Sequence, residues 1–324
     1  MKGTGCNSIH TAKKMHCMNQ GNRNNQSATS FDALPDEIVV TVIAAVAASA
    51  VAPADLASAS LTCKRFWTLG KSRHVRNKVS HLCLAVRARN WSLHADRFLQ
   101  SCAEAGNIDA RYLLGMIRFY CIRDRNAGAD LLLSAAFGGL KEAIYSLAVI
   151  VFNGSGGTRE SRDIGAAVAL CARAASLGHV DALRELGFCI HDGYGVARSV
   201  PAGRRLIVLA KAREMAEAAT GSASLIGLTP LKKQDVASRF MVEWAERRRA
   251  ENQEGADRDA PTEGGPSDGQ LRMCANKLCG REETREGEFR RCSVCASVHY
   301  CSRACQARDW IQSHKANCAQ EQAL

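Results

Sequence analysis

Eight cysteine and histidine residues near the C-terminus constrain this chain more than any other feature of its sequence. They form four pairs, and two to four residues separate the two members of each pair. Such a pair can bind one metal ion from a tight turn or from one turn of a helix, and structural zinc takes four Cys or His ligands in a tetrahedron. The array therefore predicts two complete zinc sites. Its members are Cys274, Cys279, Cys292, Cys295, Cys301, Cys305, His314 and Cys318.

Closely spaced cysteines also form disulfides in secreted proteins, so the compartment decides between the two interpretations. The sequence starts without an apolar segment between a basic stretch and a small-residue cleavage site, and we expect an intracellular protein, in the nucleus or the cytoplasm, rather than a secreted one. In a reducing compartment this pattern indicates metal. His299 is a weaker candidate than His314 for the eighth ligand, because it belongs to no closely spaced pair.

Both predicted sites are complete, which leaves no coordination position for a water molecule. We therefore expect two structural zinc ions and no catalytic metal. Residues 271–324 contain too few apolar side chains to bury a core of their own, so this segment should unfold when zinc is removed. No Ser-His-Asp or Cys-His arrangement stands out, and the sequence predicts a protein that is not an enzyme.

The C-terminal segment resembles a MYND zinc finger, most closely in residues 300–306, 309–310 and 314–315. The resemblance implies interleaved ligation, in which pairs one and three hold one ion and pairs two and four hold the other. It also implies that the finger binds short proline-containing peptides, with Gln306 and Trp310 lining the groove. Alternatively, Trp310 is a core residue of the last helix. The implied sets are Cys274, Cys279, Cys301 and Cys305 for zinc 1, and Cys292, Cys295, His314 and Cys318 for zinc 2.

The positive charge of the chain raises the question of nucleic acid. The net charge is +11 and the isoelectric point is about 9.1. From residue 271 onward there are nine Lys or Arg and six Asp or Glu, but two zinc ions with seven thiolates contribute about −3 and cancel that excess. The tight basic clusters, at 247–249 and 290–291, are short and are interpreted as solvated faces. Nucleic acid is not an expected partner.

Residues 1–29 are polar and rich in Asn, Ser and Gly, which predicts disorder. Residues 30–78 begin with a helix start in which Pro35 lies near the first turn and two acids follow it. The apolar run at 38–52 is shorter than the roughly twenty residues of a membrane span, so no membrane association is expected. A second helix is expected after Asp55, continuing through Phe66 and Trp67.

This N-terminal region resembles an F-box. Leu34, Pro35 and Ile38 match the opening of that motif, and residues 61–67 match its later helix. The resemblance implies that these apolar positions dock on the Skp adaptor of SCF-type ubiquitin ligases. The alternative is a small helical hairpin that caps the neighbouring domain.

Between residues 79 and 218 a pattern recurs three times, starting at Gly106, Gly139 and Gly178, which are 33 and 39 residues apart. Each copy reads Gly, two residues, an acid, Ala, three residues, Leu, then Gly or Ala. Ala-rich helices lie between the copies, Gly and Ala should let helices approach closely, and glycine turns at 153–157 and 192–195 should end helices. Units of this length built from two antiparallel helices stack as a solenoid. They resemble Sel-one-like repeats, relatives of tetratricopeptide repeats.

Two segments separate the repeats from the finger. In residues 219–249, Val236, Phe240 and Trp244 form an apolar stripe with helical spacing that is suited to closing the end of the solenoid. Residues 250–270 are polar and contain Gly, Pro, Glu and Asp, which predicts a flexible linker. The finger is therefore expected to be tethered to the repeats rather than fused with them.

The predicted fold is mainly α: a small helical F-box, a solenoid of antiparallel helices and a two-zinc finger on a flexible linker. Together these parts resemble the plant F-box/MYND family over about residues 31–318. The resemblance implies a substrate-receptor subunit of an SCF-type ubiquitin ligase, whose repeats and finger hold a target protein. One alternative is a protein-interaction scaffold, for example a transcriptional one, outside any ligase. A SET–MYND methyltransferase is disfavoured, because the repeats occupy the space that a SET domain would need.

Overall fold

The computed structural model describes residues 33–221, 235–256 and 271–318, most of which are helical. Contacts divide the chain into a short unit, Met1–Pro35, and a large unit, Asp36–Leu324. Residues 1–29, for which the sequence predicts disorder, lie outside the described residues. None of the helices in the described ranges is both long and apolar enough to cross a membrane.

Four short helices form the region that resembles an F-box. Helix α1 (Asp36–Ser49) buries Val39, Ile43 and Ala47 and leaves Ile38 on its exposed side. The expected second helix is in fact two helices, because the Cys63 thiol accepts a hydrogen bond from the Phe66 backbone N–H and starts a new helix there. The helices are α1 (Asp36–Ser49), α2 (Pro53–Leu61), α3 (Lys64–Leu69) and α4 (Arg73–Lys78).

The repeats form three antiparallel helix pairs and one further long helix. Gly106, Gly139 and Gly178 have φ values of 100°, 87° and 85°, and the second helix of each pair begins two residues after one of them. The pairs are α5 (Leu93–Glu104) with α6 (Ile108–Met116), α7 (Arg125–Phe137) with α8 (Lys141–Asn153), and α9 (Ile164–Ser176) with α10 (Val180–Asp192), followed by α11 (Val200–Gly221). Short 3₁₀ turns cover Ala88–Asn90 and Arg159–Ser161, and a π-helical turn, Ile117–Ile122, extends α6.

Close approach of neighbouring helices through glycine is confirmed between α10 and α11. A Cβ atom on Gly203 would lie 2.5 Å from the backbone nitrogen of His191, a separation at which atoms overlap. Any larger residue at this position would therefore push the two helices apart.

Helix α12, Val236–Ala256, extends beyond the expected start of the linker. Residues 250–256 belong to the helix, so the flexible linker cannot begin at 250. The rest of the predicted linker, 257–270, lies outside the described residues. The apolar stripe packs against the first repeat, where the Phe240 ring meets Trp91 edge-on at 5.3 Å and the Tyr112 hydroxyl donates to Asp235 at 2.9 Å.

The C-terminal finger contains little regular structure. Strands β1 (Arg290–Arg291) and β2 (His299–Tyr300) pair antiparallel, with Arg290 opposite Tyr300. Helix α13 (Arg303–Asp309), a π-helical turn (Trp310–His314) and α14 (Lys315–Asn317) follow. The Tyr300 ring is fully buried, and its hydroxyl donates to the Asp309 carboxylate at 2.7 Å. This bond joins β2 to α13.

The finger is fused with the repeats, not tethered beside them. The Asn153 side chain donates to the Cys301 carbonyl at 2.9 Å, and the Glu185 carboxylate accepts from the Ala304 backbone N–H at 2.9 Å. The expectation of a tethered finger is therefore wrong. That expectation rests on the polar composition of residues 250–270. The composition of a linker does not show whether the finger that follows it contacts the repeats.

Candidate metal centres

The structure brings Cys274, Cys279, Cys301 and Cys305 together as a first set of possible ligands. Their sulfur atoms lie within 4.8 Å of one another, and all four residues are buried. A turn places Cys279, whose backbone N–H donates to the Asn276 carbonyl at 2.9 Å, while the other half of the set comes from the end of β2 and from α13. The N-terminal turn of the finger and the segment from β2 to α13 thus meet at this set of ligands.

The spacing inside the first set suits a tetrahedral ion. The Cys279 sulfur lies 3.6 Å from that of Cys301, which lies 3.6 Å from that of Cys305. Two thiolates about 2.3 Å from a shared zinc would be roughly 3.8 Å apart, whereas a disulfide needs about 2.05 Å. The set therefore fits a four-thiolate zinc site and not a pair of disulfides.

Cys292, Cys295, His314 and Cys318 form the second set, again with ligand atoms within 4.8 Å. The Cys295 sulfur is 3.4 Å from Nε2 of His314, and the Cys292 sulfur is 3.9 Å from that of Cys318. These separations also match a tetrahedron with one imidazole nitrogen. Unlike the first set, this one has a half-buried member, Cys295.

His299, the weaker candidate for the eighth ligand, belongs to neither set among the described residues. Its Nε2 atom lies 2.9 Å from a guanidinium nitrogen of Arg272. His299 therefore contacts Arg272 and does not contribute a ligand atom to either set.

The two residues assigned to the peptide groove lie near each other in the chain and are both half-buried. Gln306 is on α13, and Trp310 begins the following π-helical turn. The Trp310 ring packs edge-on against His314 at 5.9 Å. A role in a groove and a role in packing both remain predictions for Trp310.

The residues assigned to the Skp adaptor are exposed in the structure. In the short unit, Leu34 and Pro35 are both exposed. In the large unit, Ile38 is 49% exposed and Val42, one helical turn later, is 38% exposed. The outer side of α1 therefore carries apolar side chains in contact with solvent.

A polar joint between the finger and the repeats was missed at the sequence level. Arg308 of α13 forms an ion pair with Asp181 at 2.8 Å, and Arg285 donates to the Gly154 carbonyl at 2.8 Å. A signal was present in the sequence: Arg184 and Glu185 occupy an otherwise apolar segment of α10, and both are buried in the structure. Buried charges in a helix usually have partners, and here the finger supplies one of them.

Fold and metal centres together define a class: an α-helical repeat protein that carries a two-zinc finger. The MYND finger family model matches residues 274–318, and a model described as plant tetratrico peptide repeats matches residues 84–174. With two sets of four ligands, this protein takes two structural zinc ions.

Comparison with curated proteins places the chain in a family. F-box protein At5g50450 of Arabidopsis thaliana is 44% identical over 95% of this chain and 90% of its own length. F-box protein At1g67340 of the same plant is 43% identical over 91% of this chain and 82% of its own length. The chain belongs to this family of plant F-box proteins. Among solved structures, a Sel1 repeat protein from Oxalobacter formigenes is 25% identical, with a TM-score of 0.34 over 37% of this chain and 91% of the other.

Proposed function

We propose that this protein is a substrate receptor of an SCF-type ubiquitin ligase. The observation that carries the proposal is the likeness to plant F-box proteins along almost the whole chain. In this role the F-box region holds the Skp adaptor, and the rest of the chain holds a target. Its zinc ions have complete ligand sets, so they offer no coordination position for catalysis and serve the fold of the finger.

The apolar outer side of α1 supports the adaptor half of the proposal. Ile38 and Val42 lie one turn apart on this side, while Val39 and Ile43 fill the core behind it. Fully burying an exposed aliphatic side chain contributes about 1.5–3 kcal/mol, and Ile38 and Val42, which are 49% and 38% exposed, would each contribute part of that. A few such side chains, together with Leu34 and Pro35, are enough to make adaptor binding sensitive to single substitutions.

The finger and the repeats are proposed to hold the target. Helices α8 and α10 are already in contact with the finger through Asn153 and Glu185, and α11 is in contact with it through Glu214, which lies 3.8 Å from Arg308. A target that binds the repeats would therefore use surfaces that the finger leaves open. Gln306 and Trp310 are proposed to contact a proline-containing segment of the target.

A pull-down of the Skp adaptor tests the proposal. We compare the wild-type chain, a Leu34→Ala, Pro35→Ala double variant and an Ile38→Ser variant. Leu93→Ser serves as the matched control, because Leu93 is also exposed and apolar but lies on α5. The proposal expects adaptor capture by the wild type and the control and weaker capture by the other two. A folded wild-type chain that captures no adaptor would instead favour an interaction scaffold outside the ligase.

A further inference from the structure

Arg281 is a buried cation at the joint between the finger and the repeats. Only 7% of the residue is exposed. One guanidinium nitrogen donates to the Cys279 sulfur at 3.4 Å, and another donates to the Ser146 hydroxyl at 3.0 Å. Ser146 lies on α8 and is buried as well. A single side chain thus touches a ligand of the first zinc site and a repeat helix.

The two zinc sites differ in the charge that they bury. Four thiolates and Zn²⁺ carry a formal charge of about −2, whereas three thiolates and an imidazole carry about −1. The first set is entirely buried, while Cys295 of the second set is half-buried and accepts a hydrogen bond from the Ser297 hydroxyl at 3.0 Å. Burying charge away from water is costly unless an opposite charge lies close by. The first site has the greater need of a nearby cation.

Arg281 also needs a counter-charge. Among the described residues it forms no ion pair with a carboxylate, and its hydrogen bonds go to Cys279 and Ser146. A buried guanidinium with no carboxylate partner is stable only beside another negative charge. The thiolates of the first set supply that charge.

We propose that Arg281 is the counter-charge of the first zinc site and that Ser146 holds it in place, so that this site retains its zinc only while the finger is docked on the repeats. Within the part of the chain that the structure describes, no such link reaches the second site, which therefore exchanges its zinc independently. Arg281 is a positioning residue here, since it acts on the metal through Cys279. The proposal concerns zinc retention and does not depend on the ligase role.

The test measures zinc transfer from the full-length protein to an excess of a chromogenic chelator. The wild type should release two zinc ions in two phases, a fast one from the second site and a slow one from the first site. A Cys295→Ser variant, which lacks the second site, should keep only the slow phase. Arg281→Met removes the charge but keeps an extended side chain, and it should speed up the slow phase about tenfold or more, as is typical when a residue that orients a metal ligand is lost. Arg291→Met is the control, because Arg291 is exposed on β1 of the same finger.

Two further variants separate the charge of Arg281 from its hydrogen bonds to Cys279 and Ser146. Arg281→Lys keeps the charge without the fork that reaches both partners, so its slow phase should lie between those of the wild type and Arg281→Met. Ser146→Ala keeps Arg281 but removes its tie to α8, and it should also accelerate the slow phase. A wild-type slow phase in a folded Arg281→Met protein would overturn the proposal. If Arg281→Met does not fold, an unchanged slow phase in Ser146→Ala overturns the link to the repeats.

Discussion

The Glu185 carboxylate accepts a hydrogen bond from the Ala304 backbone N–H at 2.9 Å, and both residues are buried. Glu185 lies in α10 of the repeats, whereas Ala304 lies in the first turn of α13 in the finger. The first N–H groups of a helix have no partner within the helix. A side chain of the repeats therefore supplies the acceptor that the first turn of α13 lacks within the helix. Burial raises the pKa of Glu185, although the Ala304 N–H and Arg303 act in the opposite direction.

Glu185→Leu should destabilise the protein, and Glu185→Gln should not. Leucine leaves the buried Ala304 N–H without an acceptor, which costs about 1–3 kcal/mol. Glutamine keeps an acceptor oxygen and removes a buried charge. Thermal unfolding of both variants at equal zinc concentration measures the difference, and equal midpoints for the two variants would show that the bond contributes nothing.

His179 should make stability depend on pH. Its Nδ1 atom accepts from the Ala182 N–H at 3.2 Å at the start of α10, and its ring packs on Tyr145 at 4.5 Å. Burial first, and then the positive charge of Arg308, lower its pKa from 6.5 to about 3. Below pH 6.5, His179 therefore binds a proton in the unfolded chain but stays neutral in the folded chain. The free energy of unfolding falls as the pH is lowered.

Chemical unfolding of the wild type and His179→Asn between about pH 7.5 and 5.5 measures this effect. Asparagine can still cap the helix but does not titrate. Relative to the variant, the free energy of unfolding of the wild type should fall by about 1 kcal/mol over this range. Above pH 7 the difference in free energy between the two proteins should not change with pH. A pH-independent difference would mean that His179 is not held neutral by the fold.

Gly203→Ala should destabilise the repeats, because its Cβ would overlap the backbone of His191 in the neighbouring helix. Forcing the helices apart costs about 1–3 kcal/mol. Gly165→Ala is the matched control, since a Cβ there would meet only an Asp163 oxygen at 3.6 Å, and alanine favours a helix by up to about 1 kcal/mol. The two variants should therefore shift the thermal midpoint in opposite directions.

Cys295→Ser should remove one zinc ion and loosen the finger while the repeats stay folded. Cys295 belongs to the half-buried second set, and the contacts with α8 and α10 come from other parts of the finger. Metal analysis should give one zinc per chain with nearly unchanged helical circular dichroism. Cys63→Ser, a change at an exposed cysteine outside the finger, should keep both ions. Two zinc ions in Cys295→Ser would rule out Cys295 as a ligand.

Trp310→Ala should weaken binding of proline-containing peptides without loss of zinc. Trp310 is half-buried and packs on the ligand His314, so its removal tests the groove against the packing interpretation. Fluorescence anisotropy with a panel of such peptides, alongside metal analysis, measures both effects. The exposed neighbour Ile311, changed to alanine, is the control. Loss of metal from Trp310→Ala would instead identify Trp310 as part of the finger core.

Two long-range contacts could not be predicted from the sequence, for the same physical reason. The sequence shows an apolar stripe at Val236, Phe240 and Trp244, but the stripe alone does not say which repeat it covers. Trp91 and Tyr112, which meet α12, are more than a hundred residues away along the chain. Likewise, the polar linker composition says nothing about whether the finger, once formed, contacts the repeats.

What the sequence by itself determined is local: the zinc ligands in closely spaced pairs, the helix pairs that follow a recurring Gly-to-Ala pattern, and the glycines where helices end or cross. These features show in residue types and their spacing along the chain, within one pair of ligands or from one repeat to the next, so the sequence alone predicts them. Only the tertiary structure decided that the finger docks on α8 and α10 and that α12 returns to the first repeat. Those contacts join single side chains across long stretches of chain, such as Glu185 with Ala304, and no local pattern encodes such pairings.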